Sequence, residues 1–305
     1  MLSSRYVKAG LVLATLMAAV ACNTGSPVSA PAKEPRLVTG VTHPMALGDF
    51  VTVADTYIGS WRHRQTLTQA ENVLVRNCMR RKGLDWGVDP VRQVRVTLQA
   101  WDLGHLDPVL TNEFGYHPPE LEKDLAASVG ERPVPRKLTP AQAAAYTGGS
   151  EAPSRSPAPR ASGGCSAEAS RALSKGAPQA ADAVAVDLAN QDGEQALRDS
   201  RVVQVTREWS ACMRAKGFRY TSPYDARDDA RWTGRHVTTA ELATARADLA
   251  CRQKVNYAGV RLAVLNAYEQ ASVSARRSLF DSLEERLRVR LRNAADVLNG
   301  TASTP

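Results

Sequence analysis

One short stretch occurs twice and fixes much of what this chain can become. Cys78-Met79-Arg80-Arg81-Lys82-Gly83-Leu84-Asp85-Trp86 returns as Cys212-Met213-Arg214-Ala215-Lys216-Gly217-Phe218-Arg219-Tyr220. The shared pattern is C-M-R-x-K-G, a large apolar residue, any residue, and an aromatic. Each copy ends a predicted helix. Glycine just past a helix adopts the left-handed conformation without a Cβ clash. With Gly83 and Gly217 in that role, Met79 faces Leu84 and Met213 faces Phe218, the hydrophobic contact that accompanies a Schellman stop. The basic residues of the last turn suit the negative end of the helix dipole. The pattern therefore reads as a helix stop with a cysteine one turn before it. The functional alternative is a binding surface made by Trp86, Tyr220 and their basic neighbours.

The cysteines acquire meaning from the start of the chain. Met1–Lys8 carries Arg5 and Lys8 with no acid, Leu11–Val20 is apolar but for one threonine, and small residues lead to Cys22. This is the pattern of a secretory signal peptide, with an apolar run too short to span a bilayer. Ala19-Val20-Ala21-Cys22 resembles a bacterial lipobox. That resemblance implies a diacylglycerol thioether on Cys22, fatty-acyl chains such as palmitate, and Cys22 as the mature terminus. Ala19 stands where leucine is usual, and ordinary cleavage after Ala21 is the alternative. Each buried CH₂ contributes about 0.8 kcal/mol, so two acyl chains give stable anchoring. The expected location is the extracytoplasmic face of the cell membrane, with membrane lipid as partner through Cys22.

Beyond Cys22 four cysteines remain: Cys78, Cys165, Cys212 and Cys251. An even number in an exported protein points to disulfides, and four cysteines allow three connectivities. If the two repeats are built alike, each Cys-Met cysteine pairs with the next one downstream, giving Cys78–Cys165 and Cys212–Cys251. No C-x₂-C exists, which disfavours metal and redox chemistry. Loss of Arg5 and Lys8 with the signal takes the formal charge from +8 to +6. Such a balance fits an anionic envelope polymer or lipid headgroups, or simply a solvated surface. Arginine excess with abundant alanine reflects coding bias, and export argues against nucleic acid.

The expected organisation is a signal peptide over residues 1–21, a lipidated flexible tether over 22–45, and a first helical half over 46–147. A Gly/Ser/Pro linker over 148–164 and a second helical half over 165–300 complete it. The fold class is all-α, with long polar loops and little or no sheet. A helix is expected over 47–64, with Phe50, Ala54, Tyr57 and Trp61 on one stripe. A capping box at Thr68–Glu71 opens the next. Val91–Trp101 reads as strand or helix. Asp107-Pro108 starts a short helix stopping near Gly115, and Thr139-Pro140 starts another closed by Gly148. Further helices are expected from Cys165 to Gly176, over Pro178–Asn190 as a buried helix, and from a Ser200 cap to Lys216. Thr238–Glu241 is another box. The proline-free stretch after it is too long for one helix and should break into two, near Gly259 or Ser272.

His105, Asp107, Glu113, His117 and Glu120 concentrate metal-type ligands, but lack H-E-x-x-H or any loop of known ligand spacing. A hydrogen-bonded loop is the reading, with no metal and no cofactor. No G-x-S-x-G, P-loop or G-x-G-x-x-G occurs either. Taken together, the lipobox, both Cys-Met…Gly copies, Phe114-Gly115-Tyr116-His117-Pro118, Ala247-Asp248-Leu249-Ala250-Cys251 and the long helical tail resemble a family of exported actinobacterial lipoproteins of unassigned function. The resemblance implies an anchored envelope protein and carries no catalytic residues. The expected function is a binding or interaction module whose partner is an envelope polymer or membrane protein. The alternative is a cell-envelope hydrolase with a dispersed active site.

Overall fold

The computed structural model describes residues 34–38, 40–87, 98–117, 138–149, 163–234 and 236–301. Among these residues the fold is all-α and contains no strand. The helices are α1 (Trp61–Arg81), α2 (Leu98–Asp102), α3 (Pro108–Phe114), α4 (Pro140–Thr147), α5 (Gly164–Leu173), α6 (Asp182–Arg198), α7 (Ser200–Ala215), α8 (Pro223–Arg227), α9 (Thr239–Val255), α10 (Tyr257–Ala275) and α11 (Arg277–Leu298). Cys22, residues 22–33 of the expected tether, most of Val91–Trp101, Glu120 and the core of the Gly148–Gly164 linker lie outside the described residues.

Both repeats end as Schellman stops. Gly83 and Gly217 take φ of 71° and 90°. Leu84 N donates to Met79 O and Phe218 N to Met213 O, both at 3.0 Å. Met79 and Met213 are fully buried, one in each of two apolar clusters. The cysteine one turn earlier bridges to a neighbouring helix in each case. Cys78 bonds to Cys165 at the start of α5, and Cys212 to Cys251 in α9.

The lead into α1 differs from the expected helix over 47–64. A 3-10 turn at Leu47–Asp49 and a π-helical turn at Asp55–Gly59 precede a break at Ser60, whose backbone is extended. Gly59 takes φ of 95°, and a Cβ there would meet Leu287 of α11 at 3.3 Å. Ser60 caps α1, with His63 N donating to Ser60 Oγ at 3.4 Å. Thr68–Glu71 is therefore helix interior rather than a box. A capping pattern acts only where the backbone upstream leaves the helix.

Three further boundaries move. Helix α6 begins at Asp182, and it is buried on one stripe only: Ala185 and Leu188 face inward, while Val184 and Val186 are exposed. Helix α7 is capped by Asp199, not Ser200; the Asp199 carboxylate accepts from Arg201 N at 3.0 Å. The long tail forms three helices, broken at Asn256 and Arg276. Asn256 takes the left-handed conformation (φ 53°), which asparagine tolerates. Gly259 is instead a close-approach site, where a Cβ would lie 2.0 Å from Thr42 O.

Residues Pro35–Pro305 form one compact unit. Helix α1 packs between α5 and the C-terminal α11, and α10 packs on α6 and α7. Helix α9 joins α3, α7 and α8. The segment Pro35–Met45, within the stretch read as tether, is a strap on this unit. Arg201 donates to Pro35 O at 3.0 Å and Asn256 Nδ2 to Thr42 O at 2.7 Å. Leu37 packs against the cluster of Ala196, Val202, Val264 and Tyr268.

Candidate functional site

The two motifs at Phe114–Pro118 and Ala247–Cys251 meet in space. Asp107 caps α3, accepting from Val109 N and Leu110 N at 2.9 Å each. The helix stops at Gly115, where φ is 63° and a Cβ would lie 2.8 Å from Glu241 Oε1. Only a bare backbone lets the corner settle on that carboxylate. Tyr116 N and His117 N then donate to Glu241 Oε1 at 2.8 and 2.9 Å. The His117 ring lies between two acceptors, with Nδ1 2.7 Å from Glu241 Oε2 and Nε2 2.6 Å from Gly234 O. Thr238 caps α9 as expected, accepting from Glu241 N at 3.1 Å. The Glu241 side chain, however, leaves the box and serves the α3 corner.

Two turns along the same face of α9, Asp248 is fully buried and closes a second set of bonds. Its Oδ1 accepts from Trp209 Nε1 at 2.8 Å and Arg252 Nε at 2.7 Å. Its Oδ2 accepts from Tyr116 OH at 2.8 Å and a second Arg252 nitrogen at 2.7 Å. Burial, and then the neighbouring Asp248 carboxylate, hold the Tyr116 hydroxyl far above the usual tyrosine range. Helices α3, α7 and α9 are thus joined beside the Cys212–Cys251 bridge by a satisfied polar network.

This network is built to hold helices rather than to turn over a substrate. The His117 Nε2 faces a backbone carbonyl, not a hydroxyl or thiol, so no activated nucleophile is present there. The described metal-type residues of this region do not converge. Asp107 is a cap, Glu113 is exposed, and His105 lies tilted against Phe50 with ring centroids 4.8 Å apart, where burial pushes its imidazole below the usual range. No group of three His, Cys, Asp or Glu among the described residues is arranged to hold a metal ion. Trp86 and Tyr220 belong to different clusters, Trp86 stacking on Tyr146 at 5.2 Å and Tyr220 donating to Asp229 at 2.8 Å.

An open groove of about 600 Å³ lies between the strap and the helices. Its floor is Val205, Val255, Val260 and Val264, its strap side Leu37 and Val41, and its α7 rim includes Arg201, Gln204, Arg207 and Glu208. Arg201 is tied to Asp199 at 2.6 Å, and Gln204 donates to Glu208 at 2.9 Å. Sequence reasoning missed this groove because it is assembled from three stretches far apart in the chain. Comparison of the chain with protein families, curated proteins and solved structures finds no match.

Proposed function

We propose that the chain is an extracytoplasmic lipoprotein, tethered through an acylated Cys22, that acts as a binding module of the cell envelope. The observation that carries the binding role is the valine-floored groove with an arginine-bearing rim. Its size falls in the range of ligand sites, roughly 300–1,000 Å³. An apolar floor favours an apolar polypeptide segment with an acidic flank, as a membrane protein would offer, over a sugar-phosphate polymer. The order of basic, apolar and small residues before Cys22 supports the anchor.

The anchor and the groove are tested separately. Cys22→Ala removes the acylated residue, and the variant is expected to lose detergent-phase partitioning and palmitate labelling. An unmodified mature terminus in the natural protein overturns the anchor. For the groove, a photo-crosslinking residue at Gln204 in native membranes should capture one defined product, lost on Val41→Glu. Equal products from a control position at Arg292, or no effect of Val41→Glu, overturn the groove reading.

A further inference from the structure

Three carboxylates are buried together where the chain entering the π-helical turn meets α6 and α10, while the turn itself packs mainly on α11. Asp55 in the turn, Asp192 on α6 and Glu269 on α10 are 4 %, 5 % and 5 % exposed. Their hydrogen-bond donors are neutral. Thr52 N donates to Asp55 Oδ2 at 2.9 Å, with Gln99 Nε2 from α2 at 3.5 Å. Ala54 N donates to Glu269 Oε2 at 2.8 Å. Ser272 Oγ donates to Asp192 Oδ1 at 2.8 Å. The cations that face the cluster act only through space, Arg64 from α1 on Asp55 and Arg276 from the α10–α11 junction on Asp192. Arg64 spends its own hydrogen bond on Gly59 O at 2.8 Å.

Two of the three carboxylates hold the turn itself, through the backbone N–H groups of Thr52 and Ala54. Val53 N adds a bond to Asn266 Oδ1 at 2.9 Å on the same α10 face. Buried like charges with no hydrogen-bonded counter-ion oppose joint ionisation, and such a set retains a proton as a unit. We propose that this cluster is a protonation-controlled latch, in which one retained proton fastens the Thr52–Gly59 turn to α10 and its loss loosens the turn. The turn follows the strap after the 3-10 turn at Leu47–Asp49, so the latch governs the order of the chain on the C-terminal side of the strap. The inference stands whether or not the groove binds a partner.

The direction of the effect follows from the shifts. Burial, with Asp55 and Asp192 adding to it, pushes the Glu269 carboxyl up from 4.5 to about 7. Burial raises Asp55 and Asp192 as well. Between 4.5 and about 7 the folded protein holds more protons than the unfolded chain. The latch's contribution is therefore full below pH 4.5 and is lost as pH rises through about 7.

Hydrogen exchange of the amides over residues 52–59 in the full mature chain, corrected for intrinsic pH dependence, tests the latch. Protection should fall by up to about tenfold per pH unit across that window, the slope of a one-proton difference. Glu269→Gln should flatten the profile and remove an infrared band of a protonated carboxyl group. Asp192→Asn should move the midpoint to lower pH by removing a like charge. Flat protection in the unsubstituted protein, or an unchanged slope in Glu269→Gln, overturns the latch. Should Glu269→Gln not fold, the infrared band decides: its absence from the unsubstituted protein above pH 5, where a free carboxyl is ionised, overturns it too.

Discussion

Asp248 receives four hydrogen bonds from Tyr116, Trp209 and Arg252, and every one of them is buried or half-buried. Removing its charge would strand the Arg252 guanidinium in a site that is 7 % exposed. Breaking a buried pair from one side costs about 3–5 kcal/mol, whereas losing one neutral donor costs about 1–3 kcal/mol. Asp248→Asn should therefore destabilise the protein about twice as much as Trp209→Phe, as read from denaturant midpoints. Comparable losses would show that Arg252 finds another partner. Part of this site was legible in the sequence, since the segments bearing Tyr116 and Asp248 stand out as motifs and Thr238 as a cap. The role of Glu241 was not. A Thr-x-x-Glu pattern specifies a local box, and nothing local reveals that a corner 125 residues away supplies better donors.

At the scale of elements, the helix stops were legible because glycine, lysine and the flanking apolar residues act within a few positions. The breaks in the tail were not, because they depend on what crosses the helix. Gly259 shows the difference. In a helix interior glycine is weaker than alanine by about 1 kcal/mol. A Cβ added at Gly193 in α6 would meet nothing within 4 Å, so Gly193→Ala should stabilise by about that amount. Gly259→Ala should do the opposite, because the new methyl would meet Thr42 O at 2.0 Å and displace the strap from α10. Thermal melts of the two variants should shift in opposite directions. Stabilisation by both would mean that the strap leaves α10 without consequence.

For the whole molecule, the all-α class followed from caps, stops and apolar periodicity, whereas the packing order did not. Helix α11 comes last in the chain yet packs on α1, so the long-range pairing crosses the sequence midpoint. Nothing in the apolar stripe of Phe280, Leu283 and Leu287 names its partner, because Tyr57 and α1 offer the same kind of surface as any helix. The two disulfides add a second layer. They close loops with sequence separations of 87 and 39, for which the chain-entropy treatment gives somewhat more than 4 kcal/mol and about 4 kcal/mol. Against a typical net stability of about 5–15 kcal/mol, either one is a large fraction. The bridges differ in their surroundings, however. The α7–α9 contact also holds the Trp209–Asp248 bond, which does not depend on Cys212 or Cys251. The α1–α5 contact retains the ion pair of Arg81 and Glu168, which is exposed and contributes little. Paired replacement of Cys78 and Cys165 should therefore cost more than paired replacement of Cys212 and Cys251. Both effects should appear in a single unfolding transition, because α11 ties α1 and α5 to the rest. Circular dichroism and tryptophan fluorescence should trace the same denaturation curve in each variant. Two separated transitions, or a larger loss from the Cys212–Cys251 replacement, would show that the α1–α5–α11 packing folds independently of α7 and α9.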